Sequence, residues 1–246
     1  MVNFIETRCI LMTISQEKMV DYYRSLNPNK NIEDLFKEGV RIGFYGSSFD
    51  PITHAHLWVA ATVAHRKKLD FVILLPSIGE ARRDKVLQTQ DKHREEMVKL
   101  AIVNKKKLIL DTYEMNVRPE RQYTYYTMEH FKKVFPKAEL FFIMGADLLV
   151  DIKDGKWTMD EELIKHNQFI VMGRKGINMT ETIAESPLLR NYDDGRFHLM
   201  DKGIVMEISS TYIREEIASG GEADSLLPDA CYEYIKENGL YKEIKR

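Results

Sequence analysis

VRIGFYGSSFDPITHAHL, residues 40–57, runs from an apolar segment through a small-residue turn into a helical pattern. Val40, Ile42 and Phe44 read as a buried parallel strand. Gly46, Ser47 and Ser48 make the turn, Phe49 follows, and Asp50 with Pro51 ends the extended segment before a helix begins near Thr53. A strand, a tight turn and a helix N-terminus in that order form a hollow suited to phosphate, because unpaired backbone N–H groups point into it. Thr53 and His56 are three residues apart, so they share one face of the first helical turn, the face that looks back at the hollow. A hydroxyl and an imidazole so placed point to phosphate binding or nucleotidyl transfer. A histidine at a helix start is, taken singly, more often a cap or a packing residue. The functional reading rests on the whole ordered stretch. His54 points elsewhere and reads as a surface or subsite residue.

A second stretch near the C-terminus has the same physical logic. In Ile208-Ser209-Ser210-Thr211-Tyr212-Ile213-Arg214, Val205 and Ile208 belong to an apolar strand end, and the three hydroxyl residues are N-cap types. A helix follows through Ile217 and stops at Gly220-Gly221. Its first turn offers small hydroxyls and bare N–H groups to phosphate oxygens, and Arg214 adds charge one turn in. The bland alternative is a capped helix with a solvated arginine. Two such stretches in one chain are much less expected by chance than either alone.

Bulk properties narrow the class. The chain has 246 residues, enough for a full core, with 44% hydrophobic and 30% charged residues. A formal net charge of -2 gives no electrostatic case for a nucleic-acid polymer partner. Cys9 and Cys231 form no disulfide or metal pattern, which suits a reducing, cytoplasmic setting. No apolar run is of membrane-spanning length, and the start of the chain reads as mature protein.

The rest of the chain alternates. Residues 1–38 precede the first motif as an N-terminal extension of unassigned role, with helical patterns over 14–26 and 32–36. Residues 39–246 form the main domain. Its expected strands are 40–45, 70–75, 107–112, 139–144, 168–172, 196–200 and 204–208. Helices are expected at 54–67, 90–104, 124–134, 146–152, 160–166, 210–219 and 229–238, with residues 173–194 as a polar loop. Strands separated by helices imply an α/β fold, a Rossmann-like doubly wound parallel sheet with helices on both faces. Ligands of such sheets sit outside the carboxyl ends of the strands, where both motifs fall.

The two motifs resemble the nucleotidyltransferase superfamily whose signatures are (H/T)xxH and ISSTxxR. Intervening segments resemble its nicotinate or nicotinamide mononucleotide adenylyltransferase branch. Gln122-Tyr123-Thr124-Tyr125-Tyr126-Thr127-Met128 is similar to that branch's SYTxxTL, and Phe142-Ile143-Met144-Gly145-Ala146-Asp147-Leu148 to its IxGaDxL. Trp157 follows, and Met172-Gly173-Arg174 resembles a further strand-end element. The resemblance implies that His56, Thr53 and Arg214 serve catalysis. It implies that Gly46, Ser47, Ser48, Phe49, Ser209, Ser210 and Thr211 hold ATP phosphates. Tyr123, Thr124, Asp147, Trp157 and Arg174 would bind the mononucleotide, with Trp157 stacking on the pyridine ring and Trp58 in the core. Mg²⁺ would arrive on the ATP phosphates rather than in a protein site. Arg83 or Lys85 would supply a further phosphate-contacting cation, ahead of a His93-Arg94 and Met97 match.

Departures from the pattern are informative. Thr53 stands where the bacterial members usually carry the first histidine, Ala55 replaces a glycine, and Gln122 replaces a serine. A Pro-Pro-His-Lys segment is missing. The Thr53 form is shared with nicotinamide-preferring enzymes and with phosphopantetheine adenylyltransferases, which lack the Tyr-Thr and Gly-Ala-Asp…Trp elements. Another nucleotidyltransferase is therefore the alternative reading, and a non-catalytic nucleotide sensor is the alternative from a different class. Nicotinate against nicotinamide, and homo-oligomer against monomer, stay open.

Overall fold

The computed structural model describes residues 15–77, 87–118, 121, 123–174, 176–201 and 208–243. Six strands form one all-parallel sheet: β1 (Arg41–Ser47), β2 (Phe71–Pro76), β3 (Leu108–Leu110), β4 (Glu139–Gly145), β5 (Gln168–Met172) and β6 (Phe197–Met200). Their order is β3-β2-β1-β4-β5-β6. The order reverses between β1 and β4, and the first crevice beyond the carboxyl ends opens there. In register, Tyr45 of β1 lies beside Ile143 of β4 and Leu74 of β2.

Alternation along the strands feeds two cores, one on each face. Ile42, Phe44, Phe142 and Phe169 pack on one side with α1 (Gln16–Leu26), α5 (Thr124–Val134), α6 (Ala146–Lys153) and α7 (Asp160–His166). Val72, Leu74, Phe141 and Ile143 pack on the other with α2 (His54–Arg66), α3 (Asp91–Ile102), α10 (Ser210–Ala218) and α11 (Asp229–Glu237). The doubly wound sheet anticipated from the alternation is the fold observed. Tyr23 of α1, with Ile32 and Leu35 of a 3₁₀ turn (Ile32–Phe36), is fully buried in the first core.

Several local expectations change. The polar stretch 173–194 holds two short helices, α8 (Met179–Glu185) and α9 (Pro187–Asn191). Asn178 and Ser186 cap them, Pro187 starts the second, and Met179, Ile183 and Leu189 bury one narrow face each. The polar remainder masked that face. A single helical turn, α4 (Tyr113–Asn116), follows β3 where none was expected. Tyr123 occupies the N-cap of α5, and its side chain makes no capping bond. Trp58 is half-buried rather than core. The expected strand 204–208 falls almost wholly outside the described residues.

No described helix is long and apolar enough to cross a membrane. Cys231 is buried, its thiol 3.1 Å from the Met97 carbonyl, and burial pushes its pKa up to about 12. It is a packing residue, while Cys9 lies outside the described residues.

Candidate active site

At the end of β1 the backbone turns through Ser48 and Phe49 into Asp50-Pro51. Phe49 adopts a left-handed φ of 46°, unusual for a bulky residue and held here because its ring is fully buried. That ring meets His56 edge-on at 5.1 Å and Tyr45 at 5.8 Å between centroids.

The carbonyl oxygens of this turn are held from outside it. Ser48 O accepts from Arg94 Nη1 at 2.6 Å, Asp50 O from Arg214 Nη1 at 2.6 Å, and Pro51 O from Ser210 Oγ at 2.8 Å. The Asp50 carboxylate accepts from Tyr241 at 2.7 Å and from the Gln88 backbone N–H at 2.7 Å. The carbonyls and the carboxylate of the turn are thus engaged by protein donors, which suits an anion held at its N–H groups. Arg94 is completely buried, also donates to Ser77 O at 2.7 Å, and pairs with Asp91 at 2.6 Å. Sequence reading placed Arg94 in a family match without this role. The signal was an arginine on the buried face of a helix.

Two of these tethers join the distant motifs. Ser210 and Arg214 belong to α10, so residues about 160 positions apart in sequence meet at Asp50-Pro51. Ser209 caps α10 by accepting from Tyr212 N at 3.1 Å, and Thr211 accepts from Arg214 Nη2 at 3.1 Å. The N-termini of α2 and α10 thus converge on one place, and both carry the partial positive charge of a helix start.

Thr53 caps α2 and forms a reciprocal pair with His56. The His56 N–H donates to Thr53 Oγ1, and Nδ1 of His56 accepts the Thr53 backbone N–H at 3.1 Å. Because Nδ1 accepts, the neutral ring carries its proton on Nε2. Nε2 lies 3.4 Å from Ser47 Oγ, at the mouth of the turn. Thr53 is completely buried and its hydroxyl sits 2.9 Å from His56 Nδ1. Its hydroxyl and backbone N–H both engage His56 and so orient the imidazole. The histidine singled out in the sequence is thus a capping residue that also turns Nε2 toward Ser47.

Across the crevice, β4 ends at Gly145. A Cβ there would meet Asp147 Oδ1 and come within 3.2 Å of Arg174 Nε, so glycine leaves room for these two side chains to cross the strand end as they do. Asp147 and Arg174 pair at 3.3 Å; Arg174 is exposed and Asp147 half-buried. Tyr45 lies close by. Burial pushes its phenol up to about 12, with Arg174 opposing and Asp147 reinforcing the shift. Trp157 is half-buried, its ring edge-on to Phe142 with centroids 6.4 Å apart. Tyr123 is 41% exposed at the start of α5. Arg83 and Lys85 lie outside the described residues. Among the described residues no group of three or more His, Cys, Asp or Glu side chains is placed to hold a metal ion.

Comparison with known proteins bears on this geometry. A family model described as cytidylyltransferase-like matches residues 44–216. A Clostridium tetani protein named "Probable nicotinate-nucleotide adenylyltransferase" is 34% identical over 198 residues, covering 80% of this chain and 97% of its own length. The chain belongs to the nicotinate-nucleotide adenylyltransferase family, within the cytidylyltransferase-like group. A Clostridium botulinum member of that name is 34% identical, covering 82% of this chain and 98% of its own. Among solved structures, Plasmodium falciparum nicotinic acid mononucleotide adenylyltransferase complexed with NaAD aligns with a TM-score of 0.65 at 25% identity. It covers 82% of this chain and 98% of its own. The same enzyme complexed with APC aligns with a TM-score of 0.65 at 23% identity, which bears on the fold.

Proposed function

We propose that the protein is an adenylyltransferase that condenses ATP with nicotinate mononucleotide, giving the dinucleotide and pyrophosphate. The observation that carries this reading is the convergence of both motifs on Asp50-Pro51, whose carbonyls accept from Arg214 and Ser210, with His56 Nε2 beside Ser47. The names of its relatives support nicotinate as the pyridine.

The chemistry follows from charge. An oxygen of the mononucleotide 5′-phosphate attacks the α-phosphorus of ATP. The bond to the bridging oxygen of the β-phosphate breaks, and pyrophosphate departs with that electron pair. The attacking oxygen is already an anion, so the protein's task is positioning and charge stabilisation. His56 Nε2–H donates to a non-bridging α-phosphate oxygen as charge develops. The N–H groups of the turn and the N-termini of α2 and α10 hold the triphosphate. Asp147 and Arg174 face the mononucleotide, and Trp157 offers its exposed edge and face to the pyridine.

Mg²⁺ in this family's reactions neutralises phosphate charge. Among the described residues the nearby carboxylates are engaged, Asp50 by Tyr241 and Gln88 and Asp147 by Arg174. This donor set fits a cation that enters on the triphosphate, with its remaining positions taken by water.

A pyrophosphate-release assay tests the reading. ATP is supplied with nicotinate mononucleotide, nicotinamide mononucleotide or phosphopantetheine in parallel. Fastest release is expected with the nicotinate compound. Release only with phosphopantetheine overturns the pyridine assignment, and nucleotide-induced thermal stabilisation without any release makes the protein a sensor.

A further inference from the structure

The family match begins at residue 44, so α1 lies ahead of it. Yet α1 reaches the carboxyl end of the sheet. Strand β3 is at the sheet edge, and Asn27, the residue that ends α1, pairs with it as a neighbouring strand would. Its side-chain amide donates to Leu110 O at 2.9 Å and its oxygen accepts Leu110 N–H at 2.7 Å. Asn27 is 3% exposed.

One turn earlier, Tyr22 grips the next residues. Its hydroxyl accepts the Thr112 N–H at 3.2 Å, lies 3.1 Å from Thr112 Oγ1, and donates to Asp111 Oδ1 at 3.4 Å. Asp111 is completely enclosed and accepts the Tyr113 N–H at 2.6 Å, which fixes the start of α4. From α4 two contacts run to α5. Glu114 accepts from Thr127 Oγ1 at 2.9 Å, and the Tyr113 ring stacks on His130 at 3.8 Å with 9° between planes. Burial lowers His130 to about 4, so at neutral pH the stack is between two uncharged rings. Thr127 is one turn from Tyr123 and Thr124, where the mononucleotide is placed above.

We propose that α1 is a built-in positioning element for the mononucleotide subsite: Tyr22 and Asn27 hold residues 110–112, and α4 passes that constraint to the first turn of α5. Tyr22 acts through Thr112, Asp111 and Glu114, not by touching substrate. The inference rests on the adenylyltransferase reading and adds to it a specificity element that the family match does not include.

Steady-state rates of Tyr22→Phe and Thr127→Val against wild type test it. Each variant keeps its packing shape and loses one hydroxyl. Loss of one such hydrogen bond is expected to raise the KM for nicotinate mononucleotide by about threefold to tenfold. The KM for ATP should stay within about twofold, because the phosphate turn is anchored separately by Arg94, Arg214 and Ser210. A general loss of folded protein would lower the apparent kcat and move neither KM. Should Tyr22→Phe fail to fold, Thr127→Val carries the same test. A mononucleotide KM unchanged in both variants, or both KM values rising together, overturns the positioning role while leaving the reaction intact. A folded wild type without turnover on any pyridine mononucleotide overturns the reading itself and the inference with it.

Discussion

Arg214 is a motif residue whose guanidinium ties the turn after β1 to α10. Sequence suggested a cation aimed at phosphate. In the structure Nη1 is spent on Asp50 O and Nη2 on Thr211, while Nε is buried without a protein partner. Its effect on ATP then runs through the shape of the turn. Arg214→Ala frees the Asp50 carbonyl to face the crevice, where it repels phosphate. The expected result is a rise in the KM for ATP of about tenfold, the worth of a charge-assisted hydrogen bond, with a smaller rise for the mononucleotide. Initial rates with each substrate varied in turn measure it, and a change confined to the mononucleotide would place Arg214 in the other subsite. Trp157 permits an equally local test. Trp157→Ala should weaken nicotinate mononucleotide binding by about 1–3 kcal/mol, the range for stacking on a flat base. Titration of the wild type should quench tryptophan fluorescence, Trp58→Phe should keep the quench, and Trp157→Phe should lose it. A quench that follows Trp58 would remove Trp157 from the pyridine site.

Among elements, most strands and helices were legible and three short helices were not. Helices at 124–134 and 160–166 and the strand at 168–172 fall where apolar periodicity placed them, because each buries enough of one face to show its period. The short helices α4, α8 and α9 stayed hidden because each spans two turns or fewer and buries from none to three residues, too few to show a period. Nor could local pattern show that Asn27 would pair with an edge strand more than 80 residues away.

The same junction of α1, β3 and α4 gives a pH prediction. Burial raises Asp111 to about 6 and Glu114 to about 7, both above their unfolded values near 4. A carboxyl whose folded pKa is raised binds its proton more tightly when folded. Its contribution is fully present below about pH 4 and is lost as pH rises through 6 and 7. Thermal melts of the wild type should therefore fall between pH 4 and 7 relative to Asp111→Asn, which keeps an acceptor for Tyr113 N–H and cannot ionise. The difference should reach about 3 kcal/mol at most. Parallel curves for the two proteins would show that Asp111 does not titrate in this window.

For the whole molecule, strand order β3-β2-β1-β4-β5-β6 places the crevice between β1 and β4, and the turn after β1 and the Gly145 strand end line it from its two sides. The alternation of strands and helices was enough to expect this sheet. Both motifs were readable because each is local, a turn followed by a capped helix. Their meeting was not, since it depends on α10 returning to Asp50-Pro51 across the fold. Arg94 was visible only as an arginine on the buried face of a helix, because the turn it supports lies 46 residues away in sequence. The central claim is that this junction aims His56 Nε2–H at the reacting phosphate. It is tested most directly by the turnover of His56→Ala in the pyrophosphate-release assay, with a thermal melt alongside. Turnover should fall by about 10²-fold or more, as when a preorganised donor is removed. The melt should show only the loss of a capping pair, about 1 kcal/mol. Turnover near that of the wild type in a folded His56→Ala protein would contradict the claim.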